Sequence, residues 1–304
     1  MTAEDTRVLE FLAEHRVAIV SQVQVLLDCT PRTAERRLHR LVGADLVVRR
    51  RIFEGLPAAC WITARGLGLL ERQLPAPRLD LKCYRHDVGL AWMWIAAQNG
   101  VFGPLTGQIS ERAMRSADRR AVTLGSGRED ALGGDALRED ALREDALGGD
   151  ALGGGAGLAG AVGRYGIGVA GTGPRGGLSL HYPDLILDAV SGHRIAVELE
   201  LTAKTPGRLD RIMLGYAADP GVATVLYLCP PGPLGGRVQA AARRAGISDR
   251  VHVRQLAPGS PAGAPDPGRE SGRSPSRDAG RSPSRDAGRS HGRRPFAPEP
   301  AAER

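Results

Sequence analysis

"HYPDLILDAVSGHRIAVELELTAK", residues 181–204, decides how the second half of the chain is read. Two apolar-rich runs flank the turn signal "SGH", so the stretch reads as two strands joined by a tight turn. In the second strand Glu198 and Glu200 lie two apart and share one side, while Val197, Leu199 and Leu201 face the other side, toward a core. Asp184 sits at the start of the first strand, from which it approaches both glutamates. Two readings stand side by side. Three carboxylates converging on one sheet face hold a hard divalent cation such as magnesium, and without it they repel. An edge hairpin with solvated glutamates shows the same alternation.

The flanking sequence sets the fold class. After the hairpin come a helix ("LDRIMLGYAAD"), a strand ("TVLYLC"), a helix ("GRVQAAARRAG") and a strand ("VHVRQL"). A further helix at about 86–99, "CYRHDVGLAWMWIAAQNG", precedes it. Only the last strands are separated by helices, which predicts a three-layer α/β arrangement around a mixed sheet. In the 86–99 helix, His86 and Asp87 read as a cap and a packing residue rather than an acid–base pair, and Trp92 and Trp94 as core or interface rather than a base-stacking platform.

The first 80 residues read differently. A helix is expected at about 4–15, with Val8, Leu9, Phe11 and Leu12 on one face. In "SQVQVLL", Ser21 and Gln24 have capping-box spacing. Thr30 caps a third helix with Pro31 at its first position. At 100° per residue, Ala34, Leu38, Leu41 and Val42 fall on one side of that helix, and Arg32, Arg36, Arg37, His39 and Arg40 on the other. Gly43 is its expected terminus. "LVVRRRIFEGLPAACWITARG" follows as two strands turning at "EGLP", and a further helix follows the second of them. Three helices and a hairpin are the order of a winged helix-turn-helix, whose third helix enters the major groove. Arg49, Arg50 and Arg51 precede the wing tip, and the arginine fork suits guanine edges and phosphates. Double-stranded DNA is the partner this predicts.

Two segments stand apart. Residues 128–152 are five copies of a pentapeptide, "REDAL GGDAL REDAL REDAL GGDAL". Its period matches neither helix nor strand, so 128–160 is expected to be a solvated acidic insertion. From 258 the chain carries "GRSPSRDA" twice and then "GRSHGRRP", a basic tail expected to be disordered. The expected organisation is therefore a winged helix at 1–80, an α/β core built from 81–127 and 161–257, the insertion, and the tail at 258–304.

The net charge of +7 permits a polyanionic partner without requiring one. The four cysteines, Cys29, Cys60, Cys83 and Cys229, include no C-x-x-C pair. That argues against structural zinc and a disulfide framework, and suits small buried hydrophobes in a reducing cytoplasm. "LEFLAEH" alternates charged and apolar residues, unlike a signal peptide. No apolar run approaches the ~18 residues of a membrane span. A cytoplasmic protein is the expectation.

"PD" followed after a short hairpin by "ELE" is similar to the PD-(D/E)XK nuclease core. The resemblance implies that Asp184 and Glu198 are the metal-binding pair, with Glu111 of "ISERAMR" as an additional acidic ligand. Glu200 stands where that pattern has the lysine that helps activate the attacking water. Lys204 has the right strand parity but lies four residues further on, out of reach without a bend. Because Glu200 has the opposite sign, weak magnesium or manganese binding and little or no cleavage are expected. The order "CWITARG", "YRHDVGLA", "ISERAMR", "YPDLIL", "VELELT" resembles the replication-relaxation family, which joins a winged helix to such a domain. It implies an accessory or regulatory role in replication, relaxation or mobilisation of plasmid or mobile DNA, with relaxase or replication proteins as partners. Two other classes remain open: a magnesium-dependent endonuclease, and a transcriptional regulator whose second domain serves association. Nothing in the sequence sets the oligomeric state.

Overall fold

The reciprocal cap at Thr2 starts the chain. Its Oγ1 accepts the Asp5 N–H (3.2 Å), and the Asp5 carboxylate accepts the Thr2 N–H (2.9 Å), which launches α1 (Ala3–Glu14). The computed structural model describes residues 1–126, 165–171 and 177–256, side chains at 124–126 excepted. The pentapeptide insertion and the basic tail lie outside the described residues.

In the N-terminal part, β1 (Ala18–Ile19) leads directly into α2 (Val20–Leu26). The cap expected at Ser21 is displaced. Pairing of β1 keeps the backbone extended up to Ile19, and the Ile19 N–H is taken by Gln22 Oε1 at 2.9 Å. α3 (Pro31–Gly43) begins as expected, with Thr30 Oγ1 accepting the Thr33 N–H and Pro31 in the first turn. Ala34, Leu38 and Leu41 are buried, but Val42, at the edge of the apolar arc, is 36% exposed. α3 ends at Gly43 as expected, the left-handed residue beyond it is Asp45 (φ 58°), and the Leu46 N–H closes back onto Leu41 O at 3.0 Å. β2 (Val47–Arg50) and β3 (Ala59–Ile62) form the expected hairpin, and β1 pairs with the other edge of β3. α4 (Ala64–Leu69) packs so closely that a Cβ on Gly66 would lie 2.5 Å from Leu46 O.

The second part is built on a five-stranded mixed sheet. Its strands are β4 (Leu105–Ser110), β7 (Leu185–Ala189), β8 (Arg194–Leu199), β9 (Thr224–Cys229) and β10 (Val251–Gln255), in the order β10-β9-β8-β7-β4. β4, β7 and β8 pair antiparallel; β8, β9 and β10 run parallel. The parallel connections are α7 (Pro206–Ala218) and α8 (Leu234–Arg244). The quoted stretch thus lies at the middle of the sheet. "LSLHYPDLILDA" is two strands rather than one. β6 (Ser179–His181) leaves to pair with β5 (Ile167–Val169), and Tyr182–Pro183–Asp184 bridges to β7. Pro183 has no N–H to continue a ladder, which suits the break.

Each sheet face has its own apolar layer. Leu185, Leu187, Val197 and Leu199 pack with Met93 and Trp94 of α5 (Tyr84–Gln98), and this layer continues into Leu9, Leu12 and Leu38 of the N-terminal helices. Ile186, Ala196, Val225 and Tyr227 face Met114 of α6 (Glu111–Ser126), Tyr216 of α7 and Val238 of α8. The N-terminal part and the sheet therefore meet in a packed seam near the boundary expected at residue 80, and all described residues belong to one compact unit. Arg112 fastens the seam by donating to Ala13 O (2.6 Å), His15 O (3.3 Å) and Pro75 O (2.5 Å). Ser110 Oγ donates to Glu14 (2.6 Å), and Gln22 Nε2 donates to Val88 O of α5 (2.7 Å). No helix among the described residues is long and apolar enough to cross a membrane.

Candidate functional site

Position in the sheet sets the character of the carboxylates. β8 lies between β7 and β9, and apolar layers cover both faces of the sheet there. Glu198 is 2% exposed and Glu200 3%, which removes the solvated edge-hairpin reading. Burying an ionised carboxylate is costly unless donors surround it, and each of the three has its own. Glu198 Oε1 accepts from His181 Nε2 (2.6 Å) and from the Tyr216 hydroxyl (2.5 Å). Burial works against its charge, but His181, Lys204 and Tyr216 prevail and hold its pKa below the usual glutamate value. Asp184 Oδ2 accepts the Leu199 N–H (2.7 Å) and bonds His86 Nε2 (3.2 Å). Glu200 is bonded by Lys204 Nζ. Burial raises the Glu200 pKa, and Lys204 only partly offsets it.

Lys204 corrects the expectation drawn from strand spacing. β8 ends at Leu199, the chain turns, and Nζ reaches back to Glu200. Burial disfavours its charge, yet Glu198 and Glu200 hold its pKa above that of ordinary lysine. His86 is a second correction. Instead of capping its helix it reaches Asp184, 98 residues away in the chain. Burial opposes its protonation, and the Asp184 carboxylate outweighs this and pushes its pKa up to about 9.

Glu111 heads α6. Its N–H is donated to Asp184 O (3.3 Å), while its carboxylate accepts from Arg115 (2.9 Å) and lies 3.7 Å from Arg16. It lines a small cavity of about 20 Å³ together with Asp184, Asp87, Arg16, His15 and Arg112. Asp87 is 3% exposed, its Oδ2 has no hydrogen-bond partner, and burial pushes its pKa up to about 6, with Arg16 and His86 in partial opposition.

A divalent ion needs several oxygens directed at one point, about 2–2.5 Å away. Among the described residues no three His, Cys, Asp or Glu side chains are so arranged, and Asp184, Glu198 and Glu200 are each engaged by protein donors. The set Asp184, Glu198 and Glu111 expected as metal ligands does not fit a divalent ion. The reason is that Glu111 turns to arginines and Glu198 to His181 and Tyr216.

The arginines of the N-terminal part divide into two groups. Arg32, Arg36, Arg50 and Arg51 are exposed, as is His39. Arg37 turns inward and donates to Asp5 and Glu4, both at 2.6 Å, leaving its side chain 12% exposed. Arg40 also donates to Asp5 (2.8 Å) but keeps half of its side chain in solvent. Arg49 pairs with Glu35 at 2.6 Å. Burial disfavours the Asp5 charge, yet the Thr2 backbone, Arg37 and Arg40 draw its pKa down to about 2.

Sequence reasoning misses His181, Tyr216 and Arg16. His181 stands three residues before Asp184 in the quoted stretch, and that is its only signal.

No family model matches the chain, and no curated protein matches it. Among solved structures, it is similar to RV1404 from Mycobacterium tuberculosis at 22% identity and a TM-score of 0.23, over 43% of this chain and 78% of that one. It is also similar to PigF with SAH at 17% identity and a TM-score of 0.16, over 84% of this chain and 62% of that one. At these TM-scores neither likeness bears on function.

Proposed function

We propose that the protein binds duplex DNA through a winged helix-turn-helix, with α3 in the major groove and the β2–β3 hairpin against phosphates. The observation that carries this reading is the ridge formed by Arg32, Arg36 and Arg40 opposite the buried Ala34, Leu38 and Leu41, continued by Arg50 and Arg51 at the end of β2. The mixed-sheet part is nuclease-like and serves an accessory role, in keeping with the replication-relaxation resemblance and with action on plasmid or mobile DNA. Lys204 brings a positive charge to Glu200, so the accessory reading rests on the engagement of Asp184 and Glu198 by protein donors and not on a missing cation.

A gel-shift salt series on the full chain tests the proposal. Replacing Arg32 and Arg36 with Ala lowers affinity, and the slope of log K against log salt becomes shallower by about one unit for each phosphate no longer neutralised. Unchanged affinity and slope would refute DNA binding through α3. Nicking of supercoiled plasmid with magnesium or manganese, abolished by Asp184→Ala, would instead establish an endonuclease.

A further inference from the structure

We infer that Lys204 is the built-in counter-cation of the Asp184–Glu198–Glu200 cluster, and that the cluster is complete without a divalent metal. Glu198 lies in the central strand β8, Glu200 lies one residue past its end with its N–H still bonded to Leu228 O of β9 (2.9 Å), and both are almost fully buried. Two such carboxylates destabilise a fold unless positive charge or donors reach them. Glu198 has Tyr216 and His181; Asp184 has the Leu199 N–H and His86. The donor on Glu200 is Lys204, delivered by the turn after β8. A lysine ammonium is a compact charge on a flexible stem, so it can reach back where a rigid group could not. Its side chain is 22% exposed, against 4% for that of Glu200, so the cation sits at the mouth of the cluster. The nuclease pattern has carboxylates that share a metal; this chain has carboxylates that carry their own cation. Lys204 plays this part whether or not α3 binds DNA.

Thermal melts of the full chain test it. The melting temperature of the wild type is expected to be the same with chelator and with millimolar magnesium or manganese. Lys204→Met should lower it by roughly 5–10 °C, whereas Lys204→Arg should keep most of it. Adding Glu200→Gln to Lys204→Met should recover about half of the loss, because the charge left unpaired is removed with its partner. If Lys204→Met alone does not fold, a folded double variant supports the pairing, and an unfolded one overturns it. A rise of several degrees with either metal, a fall with chelator, or strict additivity of the two substitutions would also overturn it.

Discussion

Asp87 sits at the seam with a buried oxygen that no donor reaches, and its charge is a burden on the fold. Its pKa in the folded chain is about 6, against an ordinary value of 3.8, so the folded state prefers the protonated form. The penalty is therefore present in full above pH 6 and fades as pH falls toward 4. Asp87→Asn, which removes the charge at constant shape, is expected to raise the melting temperature at pH 7–8 and to leave it nearly unchanged at pH 4. A loss of stability at pH 8 would show that the carboxylate is needed as an anion. At this scale the sequence is least legible. Asp184, Glu198 and Glu200 can be found because strand parity and the "PD" motif mark them. Their partners cannot, because His86, His181, Tyr216 and Lys204 come from a helix start, a separate small sheet, a distant helix and a turn. No local period connects such positions. Spacing misplaces Lys204 because it measures distance along an extended strand, and that strand ends at Leu199.

Elements are more legible. The third helix is readable from Thr30, Pro31 and the division of apolar and basic residues, and it folds as that pattern demands. Its arginines read as one basic face, yet Arg37 and Arg40 share Asp5 of α1, a residue 32 and 35 positions away. The hairpin, both crossover helices and the mixed sheet also follow from patterning. The break between β6 and β7 escapes that patterning, although Pro183, with no N–H to continue a ladder, is a local signal for it. β5 is held close to α7 at Gly215, where an added Cβ would lie 2.8 Å from Gly168 O and 3.1 Å from Ile167 Cγ2. Backbone cannot yield as a flexible side chain can, so Gly215→Ala is expected to cost about 1–3 kcal/mol. Chemical denaturation would measure it. Because Tyr216 is the next residue, the same change should loosen the grip on Glu198, visible as faster exchange of amide protons in β8.

At the scale of the whole molecule, the N-terminal helices and the sheet share one apolar layer running from Leu9 to Leu199. The described part of the chain is therefore expected to unfold in one calorimetric transition rather than two. Arg112→Ala leaves three backbone carbonyls at the seam without their donor and should cost about 2–4 kcal/mol, moving that single transition down intact. Two separated transitions in the wild type would contradict a shared core. Gln22 adds a consequence for how such a protein can be recombined. One amide both starts α2, through Ile19, and grips Val88 of α5. The placement of α2 beneath α3 is thus inherited in part from a helix that belongs to the other half of the chain. A chimera joined near residue 80 would leave that amide without its second anchor. One joined after Gln98 would carry α5 along and transplant the N-terminal helices with their mounting.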